Sequence, residues 1–257
     1  MLILISPAKT LDYDTPVWTE KHSEPRLMES AQKLAGRLKK KSAGQLGKLM
    51  NLSKDLSVLN AERYSNWQYP FDPEQTRQAI FAFKGDVYLG LDVHEHFEEE
   101  DLEYAQNHLR ILSGLYGVLR PLDNMMPYRL EMGTKLKVGR PNNLYEFWGE
   151  SIARLLQEDL EAQGDQIIVN LASQEYWKGA NKKSLNATVI TPEFKDWKNG
   201  QFKMLSFFAK KARGMMTRYL LTERIDTMEG LKAFNLDGYS YNEELSSDLS
   251  PVFTRKA

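Results

Sequence analysis

The residues with the most chemical potential in this chain are glycines and bases set in apolar surroundings. In Leu109-Arg-Ile-Leu-Ser-Gly-Leu-Tyr-Gly-Val-Leu-Arg-Pro-Leu-Asp123, an apolar helix end runs into two glycines and a second apolar run follows at once. Gly114 and Gly117 permit φ > 0 and leave bare amide N–H groups that can meet a phosphate oxygen. Arg110 and Arg120 bracket them, with no carboxylate between Glu103 and Asp123. This pattern predicts a helix–hairpin–helix within about residues 98–123 gripping a nucleic-acid backbone, although its glycines are three apart rather than the usual two. A buried helix–turn–helix corner that binds nothing would use the same residues.

A second basic object lies near the C-terminal end. From Trp197 to Thr222 there are six bases and no acid. Over 205–221, at about 100° per residue, Phe208, Ala209, Ala212, Met215, Met216, Tyr219 and Leu220 gather on one side of a helix. Lys210, Lys211, Arg213 and Arg218 fall on the other, with Gly214 inside their arc. A basic face without i+4 carboxylates forgoes local stabilisation and points to an anionic partner. A merely solvated face is the alternative.

Carboxylates offer a different chemistry. Asp86, Glu131 and Glu175 each stand beside a lysine, an arginine or an aromatic residue, as a general acid or base acting on a nucleotide or base would. Buried ion pairs give the same pattern, and convergence of two of these carboxylates in one pocket is what would favour an enzyme. No nucleophile elbow, Walker loop or dinucleotide fingerprint is present, so no cofactor is expected. His94 and His96 could share a metal if they lay on a strand, where i and i+2 point the same way.

Around these residues the bulk numbers describe an ordinary globular chain. It has 257 residues, 42% hydrophobic and 27% charged, with a net charge of −1. No apolar run approaches the roughly 18 residues of a membrane span, so no membrane partner is expected. The absence of cysteine rules out disulfides and thiol catalysis and fits a cytoplasmic protein. The bases are sorted along the chain, so a neutral protein can still carry a positive groove.

The positioning elements read as a mixture. Leu2 to Ile5 is a buried strand, and Leu27, Ala31, Leu34 and Leu38 mark an amphipathic helix ending in Lys39-Lys-Lys41. Ser42 and Ser53 are N-caps for two further helices, and Asp72-Pro73-Glu74 starts another. Lys84 to Gly90 reads as a turn and short strand, and Glu98 to Leu112 as a helix. Tyr128 to Met132 alternates like a strand that 135–138 pairs with. Leu144 to Leu160 is helical, Gln166 to Leu171 and Thr188 to Thr191 are strands, and Asn199-Gly200 closes a hairpin. Strands and helices alternate without regularity and no linker divides them, which predicts one α+β domain over 1–257.

Six blocks of the chain resemble the YaaA family of bacterial peroxide-stress resistance proteins. They are Leu2-Ile-Leu-Ile-Ser-Pro-Ala-Lys-Thr-Leu11, Phe83-Lys-Gly-Asp-Val-Tyr88, 112–123, Pro127-Tyr-Arg-Leu-Glu-Met-Gly133, Asn170-Leu-Ala-Ser173 with Glu175-Tyr176, and Ala209-Lys-Lys-Ala-Arg-Gly214. The resemblance implies a single α+β domain of unusual topology, with a helix–hairpin–helix and a positively charged cleft. It also implies binding of duplex and branched DNA, and a role in limiting intracellular iron and oxidative DNA damage under peroxide stress. By position it nominates Lys9, Arg110, Arg120, Arg129, Lys178, Lys195, Lys210, Lys211, Arg213 and Arg218 as phosphate contacts, with Gly114 and Gly117 at the hairpin. Recognition would run through the DNA backbone, since no helix presents a base-reading array. An enzyme acting on a nucleotide or base in the same cleft is the alternative. Protein partners are left unspecified.

Overall fold

Four consecutive apolar residues, all buried, make Leu2–Ile5 (β1) a strand with no polar face, and such strands sit inside sheets covered on both sides. In the computed structural model, which describes residues 1–256, β1 lies at the centre of a five-stranded sheet. It pairs in parallel with Leu109–Ser113 (β2) on one side, Ile3 opposite Leu109, and with Ile167–Asn170 (β4) on the other, Leu2 opposite Ile168. Gly117–Leu119 (β3) returns antiparallel beside β2, and Thr188–Ile190 (β5) adds a parallel edge beside β4. The order is β3-β2-β1-β4-β5.

Helices cover this sheet. Met28–Lys39 (α1) buries Met28, Ala31, Leu34, Ala35 and Leu38 at helical spacing. Ser151–Gln163 (α4) buries Ile152, Ala153, Leu156 and Leu160 in the same way. A second, four-stranded sheet is formed by Glu193–Lys198 (β6), Gln201–Lys203 (β7), Ser240–Tyr241 (β8) and Val252–Arg255 (β9), in the order β7-β6-β9-β8. Asn199 and Gly200, both at positive φ, close the tight β6–β7 turn. Helices and mixed sheets together give an α+β fold.

The expected helix–hairpin–helix is replaced by a helix and a β-hairpin. The helix Glu99–His108 (α3) stops four residues before Leu112, because Leu109, Ile111 and Leu112 are fully buried and join the ladder beside β1. Its tip presents nothing to solvent. A Cβ on Gly114 would lie 2.2 Å from the Leu130 carbonyl oxygen, and one on Gly117 (φ +73°) would meet Leu27 and Trp148. The Gly114 carbonyl accepts from Trp148 Nε1 at 3.1 Å, and Tyr116 N–H donates to Ser113 Oγ at 2.9 Å. Gly114 and Gly117 therefore serve close packing rather than an open anion-binding tip.

Other local readings also change. Asp86–Leu91 (α2) is a short helix rather than a strand, and residues 128–138 run without regular pairing. The Asp72-Pro73-Glu74 start yields only the single turn Pro73–Gln75. His94 and His96 sit in the helical turn Val93–His96, where i and i+2 point about 200° apart. His94 packs against Phe81 and His96 faces Asp92 at 3.5 Å, so the two imidazoles share no ligand position. Among the described residues no group of three or more His, Asp or Glu could hold a metal, and no helix is long and apolar enough to cross a membrane.

Candidate functional site

Parallel strands end together. The carboxyl ends of β1 and β4 release Ser6–Lys9 and Leu171–Ser173 side by side, next to the point where the chain switches from one side of β1 to the other. Ligand crevices of α/β sheets form at such switch points. Ser6 Oγ accepts the Ser173 N–H at 2.8 Å, and the Tyr88 hydroxyl donates to the Ser6 carbonyl at 3.1 Å, tying both loops to α2.

A cleft of 500 Å³ opens above this floor. Its fourth wall is Ser206–Thr222 (α6), which crosses α2 almost backbone to backbone. Cβ atoms on Gly214 and Gly90 would lie 1.8 Å from the Val87 carbonyl oxygen and 2.1 Å from the Lys211 carbonyl oxygen. Gly214 thus admits a backbone, but that of α2, and it is buried instead of lying in an exposed basic arc. The crossing turns Lys210 and Arg213 toward the cleft. Lys211 and Arg218 fall outside it, at 3.9 Å from Asp237 and 4.0 Å from Asp92.

Five cations line the cleft: Lys9, Lys84, Arg129, Lys210 and Arg213. Asp86, Glu131 and Glu175 line it too, so all three carboxylates singled out in the sequence converge. Most charges are engaged. Lys9 Nζ lies 2.9 Å from Glu131 Oε2, and Arg129 Nη2 lies 3.4 Å from Glu131 Oε1. Lys84 is paired at 3.0 Å with Asp12, whose carboxyl is held far below its usual range by hydrogen bonds from Thr15 N–H and then Lys84. Glu175 Oε1 accepts from Gly133 N–H at 2.8 Å, and Lys210 is a loose 3.7 Å from Asp86.

Arg213 differs. Among the described residues its guanidinium has no carboxylate within 4.0 Å and no hydrogen-bond acceptor, and burial pushes its pKa down against the pull of Glu193. In Arg129, by contrast, a single atom, Nε, is buried without a partner. A guanidinium carries five N–H donors, and those of the half-buried Arg213 meet no protein acceptor, which leaves them open to a ligand that supplies one.

The remaining nominated bases lie elsewhere. Lys178, on Gln174–Ala180 (α5), covers the Tyr145 ring at 4.9 Å, and Lys195 pairs with Glu193 at 3.0 Å on β6. Arg120 holds Asp123 at 2.9 Å and donates to the Glu24 carbonyl. Arg110 is 3% exposed; Nε bonds Asp159 at 2.7 Å and Nη1 bonds the Gln106 and Leu109 carbonyls. It is an interior structural cation and reaches no surface. Lys84 was missed as a candidate, although it stands in the Phe83–Tyr88 block that carries Asp86. Ser6, Ser173 and Tyr88 gave no sequence signal of their own.

Similarity to known proteins runs along the length of the chain. UPF0246 proteins of Colwellia psychrerythraea and Hahella chejuensis are 54% identical over 256 residues and 52% identical over 255 residues. The alignments cover 100% and 99% of this chain and 99% of each relative. A family model described as peroxide stress protein YaaA matches residues 1–245, so every residue of the cleft lies within the matched span. The chain belongs to the peroxide stress protein YaaA family.

Proposed function

We propose that this protein acts in protection against peroxide stress by binding DNA, duplex or branched, through phosphates held at the cleft between α2, α6 and the ends of β1 and β4. The observation that carries the reading is Arg213, a cation facing the cleft with no protein partner among the described residues. Lys210, beyond hydrogen-bond distance of Asp86, supplies a second charge. Contacts of this kind give affinity with little sequence readout. The test is fluorescence anisotropy of labelled duplex and four-way-junction DNA across a salt series. Binding by both substrates, with discrimination among unrelated duplexes well below a thousandfold, is the expected result. Discrimination reaching about a thousandfold at fixed salt, the range of specific binders, overturns it.

A second reading has its own support. Asp86, Glu131 and Glu175 share one cleft, the arrangement an enzyme acting on a nucleotide or base requires. Mass spectrometry of nucleosides released or altered after incubation with DNA tests it. Product formation that Glu131→Gln and Glu175→Gln abolish supports catalysis, and unchanged DNA removes it.

A further inference from the structure

Three carboxylates are a poor choice for a surface that meets only phosphate. Each repels a phosphodiester; among the described residues Glu175 has no cation partner and Asp86 has only the loose 3.7 Å approach of Lys210. Among the described residues Asp86 accepts no hydrogen bond and Glu175 engages only Oε1, which leaves acceptor oxygens free in the cleft. Carboxylate oxygens pair with the amino groups of bases, as Glu and Asp do with the cytosine amine. The same cleft holds the unmatched donors of Arg213 and the loosely held Lys210, 3.7 Å from Asp86. Leu130, Leu171, Tyr88 and Tyr128 add an apolar and aromatic lining. An unpaired guanidinium, a loosely held ammonium, open carboxylate oxygens and an apolar lining in one cavity match phosphate, amino-bearing base edge and ring of one molecule.

Size points the same way. At 500 Å³ the cleft falls within the roughly 300–1,000 Å³ of small-ligand sites. A double helix cannot enter such a space, but one nucleotide can. We infer that the cleft takes a single nucleotide unit bearing an amino-substituted base, with its phosphate on Arg213 and Lys210 and its base edge on Glu175. A DNA strand fills the cleft only by extruding one nucleotide from the stack, at the cost of a few kcal/mol of unstacking. This rests on the reading of the cleft as a phosphate-binding site, and it adds that the occupant is one nucleotide rather than a stretch of backbone.

The experiment uses the full chain and a fluorescein-labelled duplex with 2-aminopurine at an internal position opposite an abasic site. Anisotropy reports binding, and 2-aminopurine emission reports extrusion. Guanosine 5′-monophosphate, uridine 5′-monophosphate and inorganic phosphate are titrated separately as free ligands. Emission is expected to rise severalfold on binding. Guanosine 5′-monophosphate is expected to bind about tenfold more tightly than the uridine nucleotide or phosphate, the effect of a charge-assisted bond. Glu175→Gln keeps an oxygen for Gly133 N–H and should erase that tenfold preference.

Raised anisotropy with flat emission and no nucleotide binding overturns the inference and leaves phosphate-backbone binding intact. Equal affinity for phosphate and guanosine 5′-monophosphate overturns it as well, since the base then contributes nothing. An emission rise that survives both Arg213→Ala and Glu175→Gln places extrusion elsewhere and also overturns it. Nucleotide binding without any DNA binding removes the DNA reading and keeps the pocket as a free-nucleotide site.

Discussion

Arg110 and Arg213 both stand among apolar residues within four positions of a glycine, yet one guanidinium is closed inside the protein and the other faces a cleft. Around Arg110, Asp159 arrives from α4, and Asp159 also takes a bidentate pair of bonds from Arg26 at 2.8 Å. Nothing comparable reaches Arg213. The neighbouring glycines differ in the same sense, since Gly114 and Gly117 pack the hairpin shut whereas Gly214 packs α6 onto α2 and so aims Arg213 outward. A base in a glycine-rich apolar run is structural when a distant segment delivers its counterion, and stays open to a ligand when none does.

The sharpest way to break this contrast is to remove the counterion. Asp159→Ala leaves Arg110 buried and unpaired and is expected to cost about 3–5 kcal/mol in urea unfolding. Loss much below that range would mean Arg110 is not an interior cation. The same pair carries a pH signature. Burial alone would raise the Asp159 pKa, but bonds from Arg110 and Arg26 outweigh it and hold it below 3.8. Its contribution is therefore complete above the ordinary carboxylate range and is lost as pH falls through the lowered native value. Acid unfolding curves of parent and variant should converge there. If they stay parallel, the pair does not govern acid stability.

Gly114→Ala comes next. Its Cβ meets the Leu130 backbone, which cannot swing aside as a side chain would, so a loss of about 3 kcal/mol is expected in thermal or urea melts. An unaltered melt with weakened DNA binding would restore the hairpin as a contact surface. Arg213→Ala should melt like the parent and bind duplex about tenfold more weakly, with a log–log salt slope shallower by about one unit. An unchanged slope would take Arg213 out of phosphate binding. The smallest effect belongs to Lys40→Ala at the exposed end of α1, far in sequence from every cleft residue, where affinity should be unchanged. A loss matching that of Arg213→Ala would show that the basic surface is diffuse.

Several elements are legible in sequence because their signals are local. The run Leu2–Ile5, the helically spaced buried residues of α1 and α4, the Asn199–Gly200 turn and the long helix α6 all follow from periodicity or turn chemistry. The failures come where a remote partner decides. Leu109–Leu112 has helical neighbours, but β1 claims it for the sheet, and the segment 86–90, expected as a short strand, is helical where α6 packs on it. The candidate site was half visible. Lys9, Asp86, Arg129, Glu131, Glu175, Lys210 and Arg213 were singled out one by one, whereas their convergence depends on strand order, which no local pattern encodes. The β8 and β9 strands near the C-terminal end carried too short an alternation to be read.

The central place of β1 has a consequence for biogenesis. Its partner strands hold Leu109 and Ile168, so the ribosome must deliver the chain through Ile168 before β1 can be flanked on both sides. At about 5–20 residues per second this leaves Leu-Ile-Leu-Ile waiting for roughly ten to thirty seconds. During that interval an apolar strand with at least one open edge invites chaperone capture or intermolecular pairing. Slow, late closure of the sheet is expected, and nascent chains arrested before β4 should be far more sensitive to protease than those arrested after it.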